Sequence, residues 1–137
     1  MADAVTSQTI VNTEKRVVMK FTNLSDGSGE SAVKKVDAST LGTNSIGTTC
    51  SNVTIDQIWY DIGGMRLAIY FDASTSALAL TVGGSAAAGN VQGHMDFRSF
   101  GGIKNNASSP TGDIDFTTSG HTNLDHYTVI LEMRKQY

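Results

Sequence analysis

The run Met65-Arg-Leu-Ala-Ile-Tyr-Phe-Asp72 sets Met65, Leu67, Ile69 and Phe71 on one side of an extended chain and Arg66, Ala68, Tyr70 and Asp72 on the other. A two-residue period of this kind belongs to a strand with one buried face. It returns at Val17–Thr22, where Val17, Met19 and Phe21 oppose Val18, Lys20 and Thr22. It returns again at Val53–Tyr60, with Val53, Ile55 and Trp59 opposite Thr54, Asp56 and Tyr60, and at Tyr127–Arg134. Shorter strand candidates are Ala32–Asp37, Ala77–Val82, Gln92–Phe100 and Asp113–Thr118. Nowhere do apolar residues recur at three- and four-residue spacing over a dozen positions, which leaves room for a helical turn or two at most. About eight short strands with turn signals between them predict an all-β fold: a β-sandwich, a jelly roll or a small barrel, with the jelly-roll-like sandwich favoured.

The connections carry turn chemistry. Asn23 to Gly29 is rich in Asn, Ser, Asp and Gly, so the strands on either side of it are expected to pair as a hairpin. Gly63-Gly64, between two strongly alternating segments, is a second hairpin signal. Gly101 to Gly112 holds Asn105-Asn106 and the one proline, Pro110, and reads as a long exposed loop. The small-residue stretch from Gly83 to Asn90 reads as a loop too. Met1 to Lys15 is polar and shows no pattern, so the expected organisation is an N-terminal arm over 1–15 and one β-sandwich domain over 16–137. A chain of 137 residues is long enough to bury a core without disulfides or metals.

Composition limits the partners. A formal net charge of −3 and a pI near 5.4 give no broad basic surface for phosphate backbones, so nucleic acid is not expected. Charged residues are only 17% of the chain while Gly, Ser, Thr and Asn abound, the balance of a turn-rich β-protein. No stretch approaches the roughly 20 apolar residues of a membrane span, and the segment 1–8 lacks the features of a signal peptide, so cytoplasmic synthesis is expected. Cys50 is the single cysteine. With no cationic or histidine neighbour in sequence it is read as an inert thiol.

No set of side chains assembles an evident catalytic, cofactor or metal site, and no enzyme activity is expected. His94 and Asp96 share a strand face, with His121 and His126 elsewhere, but no His-x-His or His-x-x-x-His spacing converges on a metal. Asp113 and Asp115 also share a face, and the plain reading is a solvated strand surface rather than an acid/base pair. Asp26-Gly-Ser-Gly-Glu30 lacks the ligand run of a calcium loop and reads as a tight turn. Neither Gly63-Gly64 nor Gly83-Gly84 precedes the Lys-Ser or Lys-Thr of a phosphate loop. Asn23, Asn52 and Asn106 open Asn-x-Ser/Thr triplets that are given no role here. Trp59, Tyr60, Tyr70, Phe97, Phe100 and Tyr127 are candidates for a sugar-binding platform, although the alternation must send part of this set into the core.

The blocks Val17–Glu30, Ile58-Trp-Tyr-Asp-Ile-Gly-Gly-Met-Arg-Leu67, Gly93-His-Met-Asp-Phe-Arg98 and Asp125–Lys135 resemble small virion structural proteins of tailed bacteriophages, of the capsid cement or decoration type. The resemblance is one of texture over most of the chain beyond residue 16, and it carries no catalytic or ligand residue. It implies a β-sandwich homo-oligomer, dimer or trimer, that binds the major capsid protein on the outer surface of the head and stabilises it. The protein would then be made in the host cytoplasm and reside in the virion. The polar arm is expected to order only on binding a neighbouring subunit. The alternative is a tail or head-fibre component or a glycan-binding β-sandwich module, which the aromatics and the loop near Asn105 motivate. A cupin-type enzyme is the third class, and the missing histidine cluster argues against it.

Overall fold

The computed structural model describes residues 3–83 and 90–137. The strands are β1 (Ala4–Asn12), β2 (Arg16–Asp26), β3 (Val33–Val36), β4 (Asn52–Gly63), β5 (Arg66–Thr75), β6 (Ala77–Gly83), β7 (Asn90–Asp96), β8 (Ser108–Ser119) and β9 (Asn123–Gln136). They form two antiparallel sheets, one of five strands in the order β1-β2-β9-β4-β7 and one of four in the order β3-β8-β5-β6. The sheets lie face to face on a core that both supply, as in a β-sandwich. Phe116 of the four-stranded sheet meets Phe21 and Tyr127 of the other edge-on, with ring centroids 5.2 and 5.9 Å apart. With β1 set aside, the remaining eight strands have the order of a jelly roll, in which successive strands mostly alternate between sheets. Among the described residues the only helical pieces are 3-10 turns at Ala38–Thr40 and Arg98–Phe100, and none is long and apolar enough to cross a membrane.

All eight alternating segments are strands, but the jelly-roll crossing overturns two expected hairpins. β2 and β3 lie in different sheets, and so do β4 and β5. The Gly63-Gly64 pair serves a crossing between layers instead. Gly64 has φ +80°, and a Cβ there would come within 2.2 Å of the Asp125 carboxylate. Local turn chemistry marks a change of direction but not which sheet the chain enters next. The loop expected over 101–112 is shorter, because β8 begins at Ser108 and sets Pro110 opposite Ala73. Proline is tolerated there because β3 pairs only with Ile114–Phe116 and leaves that part of β8 open on one side. Strand β7 ends at Asp96, short of the expected Phe100. The loop expected between Gly83 and Asn90 falls largely on residues 84–89, outside the described residues.

Residues 4–12 are not an unordered arm: they pair with β2 from Ala4↔Leu24 to Asn12↔Val17 as the outermost strand. Every residue of β1 except Val11 is exposed, so the strand has no buried face and leaves no alternation in the sequence. Asp3 anchors its start. Its carboxylate accepts hydrogen bonds from Asn23 Nδ2 at 3.0 Å and from the Asp26 and Gly29 amides at 3.2 Å. Burial alone would raise the Asp3 carboxyl, but these bonds outweigh it and bring the group down to about 2.

The Asn23–Gly29 turn leads into a buried polar knot that ties the sheets together. Glu30 receives Lys35 Nζ at 2.6 Å, Tyr127 Oη at 2.5 Å and Asn23 Nδ2 at 2.9 Å. Its amide donates to Thr118 Oγ1, and the Thr118 amide donates to the Glu30 carbonyl. The Glu30 carboxylate thus joins β2 and β9 of one sheet to β3 of the other, while the Glu30 backbone ties in β8. In a dry setting it also raises the Tyr127 phenol, by burial first and then by the Glu30 carboxylate beside it.

Candidate functional site: an aromatic depression on the five-stranded sheet

Strand β4 decides where Trp59 points. Val53 and Ile55 face the core as their alternation predicts, and the same period would carry Trp59 inward with them. A β-bulge between Ile55 and Gln57 shifts the register by one residue against β9. Beyond it Ile58 and Ile62 turn inward, both fully buried, while Gln57, Trp59 and Asp61 turn to the outer face.

The register then assembles the outer face row by row. Trp59 lies between Ile130 of β9 and His94 of β7, and Asp61 lies between Thr128 and Gln92. These six side chains, with Tyr60 and Gly93, line an open depression of about 570 Å³. The His94 ring stacks on Trp59 at a centroid distance of 4.8 Å and an interplanar angle of 8°. Gln57 fixes that ring. Its amide Nε2 donates to Glu132 Oε2 at 3.2 Å, so its Oε1 is the acceptor for His94 Nε2 at 2.8 Å. That assignment leaves His94 Nδ1 available to a ligand. Beside the rings, Asp61 Oδ1 is buried and has no hydrogen-bond partner among the described residues. A buried carboxylate oxygen without a donor is costly.

The other candidate residues are dispersed. Tyr127 is core, and Tyr60 packs against the core with its hydroxyl over Gly93. Phe97 and Phe100 sit together beyond the end of β7, the second 67% exposed. Tyr70 is on the opposite surface, in a small recess with Asp115 and Thr117. Of the six aromatics singled out from sequence, Trp59 and Tyr60 line the depression, and the stacking partner of Trp59 is His94, a residue considered there only as a metal ligand. No group of three or more His, Cys, Asp or Glu side chains suited to a metal exists among the described residues. Asp96 pairs with Arg98 at 2.7 Å, His121 lies against Gly29 and Thr118, and His126 lies against Gly63. Cys50 is buried with its Sγ on the Asn52 carbonyl.

Asp113 and Asp115 depart from the solvated reading. Both are 7% exposed: Asp115 lies between Lys34 of β3 and Tyr70 of β5, and the turn after β3 closes on Asp113. Asp113 accepts the Ala38 amide at 2.9 Å and pairs with Lys34 Nζ at 3.0 Å. Burial, followed by the charge and hydrogen bond of Asp72 and the charge of Asp113, pushes the Asp115 carboxyl up to about 6. Its folded value exceeds the ordinary 3.8, so between those two values the folded state holds more protons than the unfolded chain. The stability due to the protonated group is present in full below 3.8 and is lost as the pH rises through about 6. Asp115→Asn, which keeps the shape without the charge, is expected to flatten the fall in Tm over that range and to raise Tm by roughly a few degrees at neutral pH. Thermal melts of both proteins against pH check this.

No protein-family model matches the chain, and no curated protein matches it. Among solved structures, the chain is similar to a mutant of a family 29 carbohydrate-binding module complexed with mannohexaose. The two share 12% identity over 96% of this chain and 92% of that one, with a TM-score of 0.45. A second mutant module of that family gives 10% identity, the same two coverages and a TM-score of 0.37. A further family 29 module gives 9% identity over 96% and 89%, with a TM-score of 0.34. The two-sheet architecture described above rests on the strand pairing of this chain itself.

Proposed function

We propose that this protein is a carbohydrate-binding β-sandwich module that holds glycan on the outer face of its five-stranded sheet, by binding alone and without a reaction step. The observation that carries the reading is the Trp59–His94 stack, open to solvent beside the donor-less Asp61 oxygen. A pyranose ring has an apolar C–H face and a rim of hydroxyls. The indole supplies the electron-rich surface for the first, while Asp61, Gln92, Thr128 and His94 Nδ1 supply acceptors and donors for the second. Hydroxyl bonds to a carboxylate are charge-assisted and stronger than neutral ones. Asp61→Ala is therefore expected to weaken glycan binding about tenfold, corresponding to roughly 1.4 kcal/mol, with no loss of fold. Calorimetric titration with the best-bound oligosaccharide checks this, and unchanged affinity would remove Asp61 from the site.

A second reading, the capsid decoration protein, is favoured by one observation: β1 offers an open strand edge through which another protein chain could pack. Its test is the copy number of this chain relative to the major capsid protein in density-purified particles. Hundreds of copies per particle support it, and absence from particles removes it.

A further inference from the structure

The five-stranded sheet has one strand more than the sheet it faces, and the overhanging strand is β1. Its nine residues include no charge and no proline, the usual guards of a sheet edge. Two of the other edges are guarded: β3 has four residues and carries Lys34 and Lys35, and β7 carries Asp96. The remaining edge, β6, is uncharged but shorter, and it packs Ala79, Leu80 and Val82 on the core. Of these edges, β1 is the one that leaves nearly all its side chains bare, with Val5 45% and Ile10 49% exposed.

We infer that β1 pairs antiparallel with β1 of a second copy of this chain, about a two-fold axis at Ser7. A two-fold normal to the sheet keeps faces matched only when residues of like parity oppose one another. An axis at Ser7 meets that condition, setting Ser7 against its own copy, Val5 against Thr9 and Thr6 against Gln8. The whole match lies in the regular stretch before the bulge that interrupts β1 between Thr9 and Val11. No like charges meet in it, and three of its five residues are β-branched, which suits cross-strand packing. A second copy is thus the occupant to which this edge is already complementary, and the isologous contact closes after two chains.

The same symmetry turns both outer faces to one side of a ten-stranded sheet. The two Trp59 residues are then seven strand intervals apart, about 34 Å at the usual spacing. If those faces bind glycan, as proposed above, the dimer is bivalent toward one polysaccharide surface; the strand pairing itself does not depend on that reading.

Sedimentation equilibrium of the full chain tests the pairing, with a particle of twice the 14.5 kDa chain expected at high micromolar concentration. Ser7→Lys sets two ammonium groups opposite each other at the axis and is expected to weaken association more than tenfold while Tm of the exposed-site variant stays unchanged. Hydrogen exchange on the unaltered protein provides a second readout, with amides of residues 4–12 gaining protection as concentration rises. A single-chain mass at every concentration, or association untouched by Ser7→Lys, would overturn the inference. Bivalency predicts that both proteins bind a short oligosaccharide equally, while Ser7→Lys loses about tenfold or more in retention on a dense polysaccharide surface. Equal retention overturns bivalency, and failure of both proteins to bind any glycan overturns the binding reading while leaving the strand pairing standing.

Discussion

Glu30→Ala is expected to lower the stability of the fold by about 3–5 kcal/mol, because it removes one partner of a buried ion pair and leaves the other charged. The Glu30 and Lys35 side chains are 5% and 4% exposed. Without the carboxylate, the Lys35 ammonium stays enclosed with no counter-charge, and Tyr127 Oη and Asn23 Nδ2 lose an acceptor. Each of these groups belongs to a different strand, so the loss loosens the closure of one sheet on the other at that end of the sandwich. Urea unfolding checks the effect, with a lower midpoint and an unchanged slope expected. Asp96→Asn offers the contrast: its Arg98 partner is 57% exposed, and the midpoint is expected to stay where it is.

Trp59→Ala is expected to reduce glycan affinity at least about 30-fold, roughly 2 kcal/mol or more, the size of effect seen when an aromatic anchor is removed from a binding surface. The indole is the broadest apolar surface in the depression, whose other lining rings are the imidazole stacked on it and Tyr60, which packs against the core. The fold is expected to survive, since Trp59 lies on the outer face while Ile58 and Ile62 hold β4 to the core. Tyr70→Ala, on the outer face of the other sheet, is expected to leave affinity unchanged. Parallel titrations of the two variants separate a site on one face from general stickiness of an aromatic-bearing surface.

The eight strands that face the core were legible in the sequence because burial on one side writes a two-residue period into the side chains. β1 was not, since a strand bare on both faces is under no such constraint. The position of Trp59 was missed for a related reason. A bulge is one extra residue, here beside Asp56, and nothing in the run Ile55-Asp-Gln57 distinguishes it from regular alternation. From that residue onward the expected faces of β4 are exchanged. Periodicity also names a face without saying what covers it, so Asp113 and Asp115 were correctly separated from Ile114 and Phe116 yet read as solvated. The cover on Asp113 comes from the turn after β3, some 75 residues earlier in the chain, and Asp115 is flanked by Lys34 and Tyr70. The Trp59–His94 stack depends on register between strands distant in sequence, which no local pattern encodes.

Trp59 is the sole tryptophan of the chain, so its fluorescence reports on the proposed site and on no other part of the protein. The most direct measurement is therefore a titration of the intrinsic fluorescence with a panel of neutral gluco-, manno-, xylo- and galacto-oligosaccharides of increasing length. Binding at the depression predicts a saturable change in Trp59 emission with at least one series, its midpoint moved to about tenfold higher ligand concentration by Asp61→Ala. Emission that stays constant across the panel, or glycan binding detected by calorimetry that leaves the Trp59 signal untouched, would contradict the assignment of this face as the binding surface.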